Sequence, residues 1–200
     1  MSAKKPYHKE NLRRDLLDAG RAYVKANGHL GLSIRTMAQQ VGVSPGAPYH
    51  HFPDRRSFLL ALAIEGFAEM METTSQIMTS SAEPAAKLRQ MGVVFVRFAE
   101  ENPHLIDLMY ESELTTPTLD PELVEYQLSG HRALRQIIIE AVPGVTDSEA
   151  DLRTIAYWSA VYGFASMRKK GVLHPDGEVL PSLDIAEAIV DRVALSALAA

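Results

Sequence analysis

The sequence predicts an all-α protein of about nine helices, a small N-terminal three-helix domain followed by a larger helical body. Three observations carry this. Apolar residues recur at i, i+3, i+4 and i+7 in one segment after another. No segment shows the strict alternation of a half-buried strand. The punctuation between segments is Gly, Pro and capping Ser or Asp, the residues that stop and start helices. At 200 residues, 46% hydrophobic and 22% charged, the composition is that of a globular protein. The absence of cysteine excludes a disulfide framework and a thiolate metal site. No apolar run approaches the roughly 18 residues of a membrane span, and no signal-peptide stretch opens the chain, so a cytoplasmic protein is expected.

In chain order, Met1 to Tyr7 is polar, an arm whose Lys4 and Lys5 reach a phosphate or a disordered terminus with incidental charge. The first helix is expected over about His8 to Ala26, with an apolar stripe of Leu12, Leu16, Ala19, Tyr23 and Ala26, and Asn27-Gly28 stops it. Ser33 is placed to cap a second helix over Ile34 to Gln40, which Gly42 ends by accepting a left-handed cap. Ala38 and Gly42 are small enough for a close helix crossing. Ser44 and Pro45 then read as cap and first turn of a third, short helix to His51. Pro48 inside it removes a backbone donor, so a slightly irregular helix is expected. Two short helices joined by a glycine turn are a helix-turn-helix, with Pro45 to His51 as the reading element.

That element is chemically suited to a polyanion. Pro45 and Gly46 add no bulk, and a helix N-terminus favours a phosphate. Tyr49, His50 and His51 carry groups that donate to phosphate oxygens or touch base edges, although Tyr49 could equally fill the core. Arg55 and Arg56 open the next helix against its dipole, which makes sense beside an external anion. Charge follows the same division. Residues 1–60 hold ten Lys/Arg against four Asp/Glu, a net +6, while the remainder holds ten against twenty-one, a net −11. A basic head on an acidic body is a polyanion-binding module attached to something else.

The body continues with a long connecting helix from Asp54 to about Met78, then Pro84 to Asn102, a short Pro103 to Glu111, Pro121 to about Ala141, Asp147 (as cap) to about Lys170, and a last helix from about Ser182. A His-Pro-Asp-Gly turn lies in the loop between the last two. Arg168, Lys169 and Lys170 complement the dipole of the penultimate helix. The expected domains are 1–53 and 54–200.

The stretch from Tyr7 to about Met70 resembles the DNA-binding domain of the TetR family of transcriptional regulators. The string GVSPGAPYHHFPDRRSFLLA, preceded by Arg35, Met37 and Ala38, carries the resemblance. It implies an all-helical homodimer that represses transcription until a small molecule binds the C-terminal domain. It also implies DNA-facing positions at Arg35, Pro45, Gly46, Ala47, Tyr49, His51 and Arg55, to which Ser44 and His50 are added from their place in the reading element. Pro48 departs from the family, which more often has Leu, Val or Ile there. Trp158, Tyr162 and Gly163 resemble the Trp-His-Gly signature of one C-terminal subgroup, with Tyr in place of His.

Pockets in helical bundles form between helices, lined by apolar and a few polar groups. The effector candidates are Phe95, Phe98, Asn102, Met109, Tyr110, Tyr126, His131, Trp158 and Tyr162, and for each of them core packing is the competing role. Arg97 pairs with a ligand carboxylate or with Glu100 or Glu101 at helical spacing. His104 and His131 lack metal-ligand spacing, so no metal and no cofactor is expected. The last two helices are rich in small residues (Ala156, Ser159, Ala160, Gly163, Ala165, Ala186, Ala188, Ala194, Ser196, Ala197), which suits a close four-helix dimer interface or intramolecular packing. No nucleophile–base pair, carboxylate pair or phosphate loop can be assembled, which argues against an enzyme. The functional expectation is a ligand-released repressor on a palindromic operator. The alternative is a ligand-indifferent activator or architectural DNA binder.

Overall fold

The computed structural model describes residues 11–172 and 183–199. The expected N-terminal arm, the start of the first helix before residue 11 and the His-Pro-Asp-Gly turn lie outside the described residues. Among those described there are eight α-helices, one four-residue 3-10 helix and no strand. The helices are α1 (Leu12–Asn27), α2 (Ile34–Val41), α3 (Arg55–Thr79), α4 (Pro84–Glu101), α5 (Pro103–Tyr110), α6 (Pro121–Ala141), α7 (Asp147–Lys169) and α8 (Leu183–Leu198). By its contacts the chain divides into two compact units. The head comprises residues 1–66 and 104–120; the body comprises 67–103 and 121–200.

The head therefore takes in more than residues 1–53, and the reason is core size. Three short elements bury too little apolar surface to be stable alone. The first turns of α3 supply Phe58, Leu59, Leu62 and Ala63, all 2% exposed or less. Segment 104–120 adds Leu105, Leu108, Met109 and Leu114. Leu12, Leu16, Leu17 and Val24 of α1 face this core with Met37 and Ala38 of α2. Phe52 meets Phe58 edge-on at 4.8 Å between centroids. Gly20 is the close-approach residue here: a Cβ on it would lie 2.6 Å from Phe58 Cζ.

Gly42 ends α2 at φ +77°, ψ 29°. Its N–H donates to Gln39 O at 3.2 Å and that of Val43 to Ala38 O at 3.0 Å, the paired bonds of a Schellman cap. A Cβ on Gly42 would meet nothing within 4 Å, so its role is the backbone conformation and not the close crossing expected of it. Ser33 stands at the N-cap of α2 but its side chain makes no capping bond.

In the body α4 packs against α6, α7 and α8. The contact with α7 and α8 is made at Gly92, where an added Cβ would lie 2.5 Å from both Tyr157 Oη and Val190 Cγ1. Tyr157 is buried and its hydroxyl donates to Leu88 O at 2.6 Å. Burial pushes this phenol's pKa up and keeps it protonated. Three sequence assignments change in this unit. Thr146, not Asp147, caps α7, accepting from Glu149 N at 3.3 Å, while Asp147 pairs with Arg135. Arg97 bonds Glu187 of α8 at 2.5 Å rather than an acid on its own helix. Arg168 is buried and ion-paired to Glu100 of α4, so its role is more than complementing a dipole.

Gly92→Ala is expected to destabilise the protein by about 1–3 kcal/mol through overpacking, despite the better helix propensity of alanine. Urea denaturation followed by circular dichroism measures this. An unchanged midpoint would mean that Tyr157 and Val190 retreat at no cost.

Candidate nucleic-acid interface

The reading element is not the α-helix expected from Pro45 to His51 but a 3-10 helix over Ala47–His50, preceded by turn residues Pro45 and Gly46. The N–H groups of Ala47, Tyr49 and His51 donate to the oxygens of Ser44, Gly46 and Pro48 at 3.1, 3.3 and 2.9 Å, all three residues back. Pro48 has no N–H to reach Ser44 O in the α pattern, and it biases Ala47 away from the α conformation. Gly46 takes the N-cap position expected of Ser44. So short a turn lacks an α-helix dipole, which removes the expected phosphate site at its N-terminus.

Pro48 itself is buried, with Phe52 four residues on at 3% exposure. These two inward groups hold the element against α1 and α2. Most of the positions between and before them turn outward. Ser44, Pro45, Gly46, Tyr49 and His50 are exposed, and Ala47 and His51 half-buried. Tyr49 is 44% exposed, so it is not core filler. A Cβ on Gly46 would meet nothing within 4 Å, leaving a clear approach to the backbone. Arg35 is exposed on α2, and Arg13 lies over the Phe52 ring at 5.4 Å.

Arg55 is different. Its Nε donates to Leu32 O at 2.9 Å, its Nη2 to His29 O at 2.7 Å and Leu30 O at 3.1 Å, and its Nη1 to Glu113 Oε1 at 2.5 Å. Four of five N–H groups are committed inside the head, so Arg55 is held by the head itself and is not a free outward cation. The cause is the tight loop before α2, whose carbonyls have no helical partners and need donors. Arg56 likewise turns to Glu113 O at 2.6 Å and Asp120 Oδ2 at 2.7 Å. His29 beneath them is 7% exposed, and burial, then the Arg55 charge, lowers its pKa. Asp54 caps α3, its Oδ1 accepting from Ser57 N and Ser57 Oγ at 2.7 Å each.

The effector candidates do not all meet. In the body Phe95 lies 4.6 Å from Trp158 and 6.1 Å from Tyr162, with Trp158 and Tyr162 6.0 Å apart. Phe98 is buried on α4, the helix that carries Phe95, and Tyr126 stacks on Phe67 at 5.8 Å. His131 is half-buried on α6. Asn102 terminates α4, its Nδ2 donating to Phe98 O at 3.2 Å. Met109 and Tyr110 belong to the head unit, where Met109 is fully buried. No group of three or more His, Asp or Glu with metal-holding geometry occurs among the described residues.

Residues 16–62 match the model of bacterial regulatory proteins of the tetR family, and residues 88–193 that of the tetracyclin repressor-like C-terminal domain. The chain belongs to the TetR family. Its two matched domains are those of a bacterial regulatory protein. Among curated relatives, the transcriptional repressor AcnR of Corynebacterium efficiens is 38% identical over 66 residues, 33% of this chain and 35% of that one. The match thus spans about a third of the length of AcnR. The nucleoid occlusion factor SlmA of Vibrio vulnificus is 31% identical over 142 residues, covering 66% of this chain and 69% of that one. Among solved structures, a protein of unknown function from Rhodococcus sp. RHA1 superposes with TM-score 0.81 at 27% identity, covering 98% of this chain and all of the other. The TetR-family regulator PfmR of Thermus thermophilus shares the fold at TM-score 0.65 and 20% identity, over 90% of this chain and 97% of its own.

Asp54→Ala is expected to cost about 1 kcal/mol at neutral pH. The two Ser57 bonds hold the Asp54 carboxyl below its usual value of 3.8. Its contribution is therefore full above that value and lost as pH falls through the lower folded-state value. Denaturation midpoints of the two proteins should converge in acid; a constant gap would show that the cap does not depend on the ionised form.

Proposed function

We propose that the chain is a homodimeric, cytoplasmic repressor that binds a palindromic operator and leaves it when a small molecule enters the body. The observation that carries the DNA part is the outward tip Ser44–His51 held on the buried pair Pro48 and Phe52. Its DNA-facing set is Arg35, Ser44, Pro45, Gly46, Ala47, Tyr49, His50 and His51, with Arg55 acting from behind. Two copies related by a two-fold axis present two such tips to successive major grooves about 34–36 Å apart. Phosphate contacts supply affinity by counterion release, and base edges supply specificity.

The dimer surface is the outer face of α7 and α8. Leu152, Ile155, Ile185 and Leu195 are all about half exposed or more, with Ala156, Ser159, Ala160 and Ala188 between them. Large apolar groups left exposed beside small ones fit a second helix pair closely. Ala165, Ala186, Ala194 and Ala197 instead pack inward. The effector site is read at the Phe95, Trp158 and Tyr162 rings, with Phe98, Asn102, Tyr126 and His131 as the neighbouring candidates.

Selection of bound sequences from random DNA is expected to return a palindrome. On that operator Arg35→Ala should reduce the slope of log affinity against log salt by about one, and an unaltered slope would remove Arg35 from the phosphate contacts. Ile155→Glu is expected to halve the mass seen by sedimentation equilibrium without loss of helicity. A variant that stays dimeric would place the interface elsewhere.

A further inference from the structure

Arg55 and Arg56 bind a segment that the DNA-reading elements do not contain. That segment, residues 104–120, follows α4 and precedes α6 in the chain, yet it belongs to the head. It is a built structure. Leu108, Met109 and Leu114 are fully buried, Ser112 Oγ donates to Leu108 O at 2.7 Å and accepts from Leu114 N at 3.1 Å, and Asp120 N donates to Leu114 O at 2.8 Å. Its charged edge faces the start of α3. Glu113 supplies its carboxylate to Arg55 and its carbonyl to Arg56, and Asp120 supplies its carboxylate to Arg56.

The other side of the Arg55 guanidinium holds the carbonyls of His29, Leu30 and Leu32. Leu32 is followed directly by Ser33, the N-cap of α2. One planar cation thus joins Glu113 to the backbone that launches the first helix of the helix-turn-helix. Arginine suits this because its five donors form a rigid fork, so moving one acceptor turns the others.

We propose that Glu113, acting through Arg55, is a positioning residue for DNA reading: it fixes the loop 29–32 and the start of α2, and so the operator affinity. The inference rests on the DNA-binding reading. Segment 104–120 is continuous with α4 and α6, the helices that carry Phe95, Phe98, Tyr126 and His131.

The test uses the full chain with Glu113→Gln, which keeps shape and removes charge at a half-exposed site, and Asp120→Asn beside it. Two measurements are made: operator affinity across a salt series, and hydrogen exchange without DNA. Glu113→Gln is expected to weaken operator binding about three- to tenfold. The salt slope should stay that of the unaltered protein, because no phosphate contact is lost. Exchange should quicken at amides 30–36 while α4 and α7 keep their protection, a local signature that general destabilisation would not give. Asp120→Asn, which loosens Arg56 and leaves the Glu113–Arg55 pair in place, should show the same pattern more weakly. Unchanged affinity and exchange in Glu113→Gln would overturn the proposal. So would tighter binding with a steeper slope, which would make Glu113 a competitor of phosphate, or a slope reduced by about one in Arg55→Gln, which would make Arg55 a direct phosphate ligand. If the unaltered protein selects no DNA sequence, the DNA-binding reading fails, and exchange at amides 30–36 still decides whether Glu113 positions that loop.

Discussion

The head depends on one accounting problem, the backbone carbonyls of the loop that joins α1 to α2. A sharp connection between two packed helices exposes carbonyls that neither helix can satisfy. Here His29, Leu30 and Leu32 direct theirs to a single guanidinium. That donor comes from a third element, Arg55 at the start of α3. Asp54 fixes that start by capping α3 through Ser57. Arg55 also pairs with Glu113, which belongs to segment 104–120 of the same unit. The head thus passes beyond the helix-turn-helix itself.

The reading element shows how a local rule can be broken to useful effect. Proline interrupts α-helical bonding, and over Ala47–His50 the chain takes the tighter 3-10 form. In that form Pro48 turns inward next to Phe52, where its rigid ring fills an apolar position. The price is a shorter element. What remains is a compact tip in which Tyr49 and His50 lie outside and the backbone at Gly46 is open.

Most helix bounds were legible in the sequence because their signals are local. Proline opens α4, α5 and α6, Gly42 closes α2 with the expected left-handed backbone, and the run from Arg55 to Thr79 keeps one long helix. What was not legible depends on partners far along the chain. Arg55 reads as an outward cation until Glu113, 58 residues on, is known to face it. Gly92 carries no sign in its neighbours that Tyr157 and Val190 will crowd it. Arg97 has acids at helical spacing, yet its guanidinium goes to Glu187, 90 residues away. For the effector candidates, residue type placed Phe95, Trp158 and Tyr162 among nine positions, but could not tell that these three lie together or that Met109 and Tyr110 belong to the head, because the chain leaves and re-enters that unit at α5.

The charge division illustrates the same point on a larger scale. Split at residue 60, the chain is +6 and −11, and the head looks strongly basic. Counted over the compact unit of residues 1–66 and 104–120, it holds ten Lys/Arg against nine Asp/Glu, close to neutral. The acids that make the difference are Glu65 and the four of segment 104–120: Asp107, Glu111, Glu113 and Asp120. Two of those four are spent on Arg55 and Arg56. The basic surplus of the sequence is therefore divided by the fold, part neutralised within the head and part, at residues such as Arg35, left exposed. An interaction with a polyanion then depends on where the unneutralised cations stand rather than on their number. Charges act on one another only within about a Debye length, so local cations count for more than the total of −5. The exposed Arg35 on α2 and the tip at Tyr49 and His50 beyond it are what the proposed interface offers.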